Sequence, residues 1–83
     1  MYIFKIGLED KEGKTIITIF INDRRITIKT PTIISNPIYS SNILTIIGAI
    51  ILAKLMGREN LTEVLNEVKP FIEKDVEVKL EWE

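Results

Sequence analysis

The chain predicts an α+β fold of order β-β-β-α-α-β: a four-stranded, mainly antiparallel sheet with two helices packed on one face. Three observations carry this. Residues 1–30 alternate apolar and polar side chains around two polar turn clusters, and residues 75–82 alternate again, whereas the stretch between them changes to helical spacing. Charge is also unevenly spread. Residues 1–30 hold six basic and four acidic groups, 31–53 hold none, and 54–83 hold five basic and eight acidic. In a chain that is 28% charged, the uncharged stretch marks the part hidden from water.

Taken in order, 1–30 is a three-stranded meander. Tyr2, Phe4, Ile6 and Leu8 alternate with Ile3, Lys5 and Gly7, as in a strand with one covered face. Asp10-Lys11-Glu12-Gly13 is a polar loop with Gly where a positive φ is needed. The second strand, about 14–21, is apolar on both faces, and Asn22-Asp23-Arg24-Arg25 turns the chain into a third strand over 25–30. Keeping every Ile on the covered face suggests pairing Ile21 with Ile26, Ile19 with Ile28, Ile6 with Ile17 and Phe4 with Ile19. Residues 31–41, bounded in part by Pro31 and Pro37, form an uncharged loop over the core. Ser40, Ser41 or Asn42 caps an apolar helix over 42–56, ended by Gly57. That helix has no polar face, so it must be covered on nearly every side. An amphipathic helix follows over 60–74, with Asn60 and Glu63 at capping-box spacing and a kink near Pro70. The last strand, 75–82, points Val76, Val78, Leu80 and Trp82 inward and its charges outward. All 83 residues form one domain.

The segment SSNILTIIGAIILAKLM, following three antiparallel strands, resembles the lead-in to the first helix of ribonuclease H-like domains. That resemblance implies an alternative, truncated β-β-β-α-β arrangement. Thr45 stands about where that family carries a catalytic Glu, and the first strand has no central Asp. The resemblance therefore implies a metal-dependent site that has been lost.

Composition excludes much chemistry. With no His and no Cys there is no imidazole or thiolate, hence no Ser-His-Asp or Cys-His triad and no ordinary zinc site. The remaining catalytic candidates are carboxylates: Asp10 and Glu12 in one turn, Asp23 in another, Glu59 and Glu63 near a helix start. Turn and cap duty accounts for each, so no catalytic residue, cofactor or metal is expected and the chain is not expected to be an enzyme. Seventeen Ile, nine Glu and eight Lys with no Gln fit a heat-adapted protein, archaeal or viral, or an AT-rich genome. Met1 leads straight into a strand pattern with no basic segment before an apolar one, which predicts a cytoplasmic location.

Binding is the expectation that survives. The apolar helix carries more buried-type surface than one copy can cover, which predicts a homodimer or a protein partner. The interaction residues would be Ile3, Ile16 and Phe20 on the open sheet face, while the spacing of Ala49 and Ala53, with Gly48 adjacent, allows close approach to a partner helix or, as the readier reading, to the sheet. A membrane span is not expected, since the uninterrupted run 43–53 is short against the roughly 20 residues needed. A nucleic-acid interface, the alternative, would use Lys5, Arg24, Arg25 and Lys29 around Phe20.

Overall fold

The computed structural model describes residues 4–82, and the side chains of 5–81. The elements are β1 (Phe4–Lys11), β2 (Lys14–Ile21), β3 (Arg24–Lys29), α1 (Pro37–Leu55), α2 (Leu61–Val68), a 3-10 turn (Lys69–Phe71) and β4 (Glu77–Trp82). The strands form one antiparallel sheet in the order β1-β2-β3-β4. This is the α+β topology that the alternation predicts. Because two helices precede β4, which pairs antiparallel beside β3, the truncated ribonuclease H-like β-β-β-α-β alternative does not form.

The first hairpin is tighter than the sequence suggests, and the second keeps a two-residue loop but shifts it from Asp23-Arg24 to Asn22-Asp23. In the first, Lys11 faces Lys14 and the loop is only Glu12 and Gly13, at φ 55° and 77°. Two positive φ values make the primed turn whose twist matches that of the strands. In the second, Ile21 faces Arg24 and Asn22 takes φ 54°. The pairs are therefore Ile6 with Ile19, Leu8 with Ile17, Ile19 with Ile26 and Ile17 with Ile28. Each hairpin is offset by two residues from the register expected, and an offset of two leaves every side chain on its face. The covered face is thus as expected: Ile17, Ile19, Ile21, Ile26 and Ile28 are buried under the helices.

Helix α1 begins five residues before the expected 42. Asn36 is the cap, its side chain accepting from the Ile38 amide at 3.1 Å, and Pro37 occupies the first turn, where its missing N–H costs nothing. The supposed loop 31–41 therefore shrinks, and Ser40, Ser41 and Asn42 lie inside the helix. At its other end the Arg58 and Gly57 amides donate to Ala53 O at 2.8 Å and Lys54 O at 3.1 Å, with Gly57 at φ 72°. That is a Schellman close. In α2 the Asn60 side chain accepts from the Glu63 amide at 3.1 Å, as the capping spacing suggests, and Pro70 converts the helix into a 3-10 turn.

Two buried polar clusters join the layers. Thr15 and Thr30 are almost wholly buried; the Thr15 hydroxyl donates to Asp10 Oδ1 at 2.6 Å and accepts from the Ile34 amide at 3.0 Å. Asn42, also buried, accepts at Oδ1 from the Glu73 amide at 2.6 Å and donates from Nδ2 to Ile38 O at 2.8 Å. Asn42 thereby ties α1 to the segment leading into β4. Asn42→Ala should leave the Glu73 amide unsatisfied and lower unfolding free energy by about 1–3 kcal/mol, measured by urea denaturation.

Candidate interaction surface

Helix α1 is apolar all round, so its sequence does not reveal which face is covered. The packing does. Ile43, Ile46, Ile50 and Ala53 recur at three- and four-residue spacing and are buried against the sheet and α2. The opposite side of the same helix presents Leu44, Gly48, Ile51, Leu52 and Leu55. At the C-terminal end Met56 joins it, and Phe71 projects from the 3-10 turn. Leu44, Leu52, Leu55, Met56 and Phe71 are 71%, 59%, 79%, 72% and 75% exposed. A shallow hollow between α1 and α2 is lined by Leu44, Gly48, Leu52, Met56, Val68 and Phe71. At its rim Arg58 pairs with Glu63 at 3.1 Å and with Glu67. These pairs raise the Arg58 pKa, chiefly through the bond to Glu67.

The size of this face decides its meaning. With Ile38 and Ile51 added, seven large apolar side chains stand 41–79% exposed, on the order of several hundred Å² of apolar surface. The largest apolar patch on a typical monomer is roughly 300–600 Å², and a standard interface takes about 800 Å² from each partner. The face is an apolar area with a charged rim, the arrangement of an interface core. A second, smaller ledge lies at the sheet edge, where Ile6 and Leu8 sit on the helix side of β1 but are 48% and 57% exposed.

The residues singled out from sequence distribute differently. Ile16 and Phe20 lie on the open sheet face, each partly buried, while Ile3 lies outside the described residues. Ala53 is buried at 3% exposure and Ala49 is partly buried against the core, so the alanine spacing serves packing within the chain. Leu44, Leu52, Leu55, Met56 and Phe71 were not distinguishable in sequence from the core positions beside them.

The four basic residues do not share a patch. Lys5, Phe20, Arg25 and Glu81 form one row across the open face, and Glu9, Ile16, Lys29 and Glu77 form another. Arg25 bonds to Glu81, and Arg24, on the opposite face, donates to Glu59 O at 2.8 Å. Acidic side chains thus interleave with the lysines. The carboxylates named above are dispersed as well: Asp10 accepts from Thr15, Glu12 and Asp23 lie in turns, and Glu63 pairs with Arg58. Among the described residues no three His, Cys, Asp or Glu side chains come together as a metal site.

Glu81 carries one pH consequence. Hydrogen bonds from Arg25 and then Lys79 hold its carboxyl below the ordinary 4.5. A depressed folded-state pKa contributes stability above the unfolded value, and this is lost as pH falls through the folded one. Melting temperature should therefore fall on acidification below pH 4.5, and Arg25→Met should flatten that acid limb in a pH series followed by circular dichroism.

At 19 residues, about 28 Å, α1 is longer than the run of 11 that sequence suggests, and by length and composition alone it is apolar enough to cross a membrane. No protein-family model, no curated protein and no solved structure matches the chain, so the functional reading rests on this surface alone.

Proposed function

We propose that this is a thermostable, cytoplasmic, non-enzymatic protein that acts by protein–protein interaction, as a homodimer built on the exposed face of α1 or as an accessory subunit using the same face. The single observation that carries the reading is the row Leu44, Leu52, Leu55, Met56 and Phe71, each more than half exposed on one side of the molecule. Leaving so much apolar surface in water is unfavourable by about 25 cal/mol per Å², and covering it supplies the driving force for association. The interleaved charges of the open sheet face give no comparable reason to favour nucleic acid.

Sedimentation velocity across micromolar concentrations tests the reading. A mass above that of one chain, rising with concentration, is the expected result. A strict monomer would remove the homodimer.

A further inference from the structure

We infer that a second copy of this chain docks on α1 in an antiparallel pair whose two-fold axis passes at Gly48. The inference rests on the interaction reading above and gives it a partner and a geometry.

Gly48 is the point that needs explaining. It lies in the middle of a 19-residue helix, where glycine is less favourable than alanine, and it is not at a turn. A Cβ built on Gly48 meets nothing within 4 Å, so no contact within the chain demands its absence. The missing side chain instead leaves a notch in the middle of the exposed face, with Leu44 four residues before it and Leu52 four after. Where two helices cross at such a notch, their backbones can approach more closely than leucine or isoleucine would permit.

The face suits a copy of itself. Within 37–55 the sole charge is Lys54, so identical faces meet without like-charge repulsion across most of the contact. A ridge of leucines lies beside the hollow that ends at Phe71, so each copy offers both a projection and a recess, as a two-fold interface requires. A two-fold at position 48 sets Leu44 of one copy over Leu52 of the other. The exposed apolar area, on the order of several hundred Å² per copy, approaches what a standard interface takes from each partner.

The chain has no cysteine, so single introduced cysteines report contact cleanly. Under mild oxidation Gly48→Cys should form an intermolecular disulfide, and a mixture of Leu44→Cys with Leu52→Cys should cross-link as the mixed pair in preference to either alone. Thr62→Cys, exposed on α2 outside this face, should not cross-link. Gly48→Leu should weaken dimerisation by at least about tenfold with an unchanged far-ultraviolet spectrum. Gly48→Ala should raise the melting temperature of the dilute monomer while weakening the dimer. A dimer that survives Gly48→Leu unchanged, or that cross-links through Ile6→Cys in place of position 48, overturns this geometry and leaves the interaction reading intact. A strict monomer overturns this geometry and the homodimer and leaves the accessory-subunit reading, whereas a monomer that floats with phosphatidylcholine vesicles makes lipid the occupant and overturns that reading too.

Discussion

Replacing Leu52 and Leu55 together by lysine should convert the protein to a monomer without unfolding it. Both side chains point away from the core, at 59% and 79% exposure, and lysine is a good helix former. Within a single copy the exchange removes little packing and places two ammonium groups in water, so its stability effect should stay within about 0.5–1 kcal/mol. In a dimer built on this face it places four cations in a largely apolar contact, where each loses solvent without gaining an anion. The dissociation constant should rise by roughly a thousandfold or more, equivalent to about 4 kcal/mol. Sedimentation reads the mass and circular dichroism the fold. Ile6→Lys on the sheet-edge ledge is the matched control and should leave the dimer in place. A double variant that unfolds as a monomer shows these leucines to be part of the monomer core, and one that still dimerises moves the interface elsewhere.

The covered face of the sheet was legible in the sequence, and the reason is the two-residue period of a strand. Ile19 faces Ile26 and not Ile28, yet both choices put it under the helices. The exact register was hidden because Glu12 takes a positive φ that a glutamate does not advertise, which closes the first hairpin in two residues. The start of α1 is hidden for a similar local reason. Pro37 suggested a loop boundary, but proline after an Asn cap begins a helix as readily as it interrupts one. Asn42, taken for a cap, is a buried tie whose partner, the Glu73 amide, is 31 residues away and invisible to local pattern.

The exposed apolar face was half legible. That α1 carries more apolar surface than one copy covers follows from its composition. Which residues form the excess does not, because a helix apolar on every side has no phase to read. Of the small residues in this helix, Ala53 is buried and Ala49 partly buried, whereas a Cβ on Gly48 would meet open space. The basic set is divided: Lys5, Arg25 and Lys29 lie on the open face and Arg24 on the other, because adjacent strand residues face opposite sides of the sheet.

Ile46→Ala should lower stability by about 2–5 kcal/mol, with Leu44→Ala in the same helix as its contrast. Ile46 is fully buried between the helix layer and the sheet isoleucines, so truncation loses transfer free energy and leaves a cavity that the central strands β2 and β3, paired on both edges, cannot collapse to fill. For a domain of this size the whole stability is on the order of 5–12 kcal/mol, so one such change takes a large fraction of it and lowers the melting temperature by roughly 8–40 °C. Leu44 is 71% exposed, and its truncation leaves no cavity within one copy. In dilute solution Leu44→Ala should move the melting temperature by no more than a few degrees. At concentrations where the dimer forms, binding between copies adds to stability by mass action, and the Leu44→Ala deficit should then grow with protein concentration while the Ile46→Ala deficit stays nearly constant. Melting curves of both variants over a hundredfold range of concentration therefore separate the face that folds the chain from the face that joins two copies. Equal, concentration-independent losses at the two positions would place both in the same core.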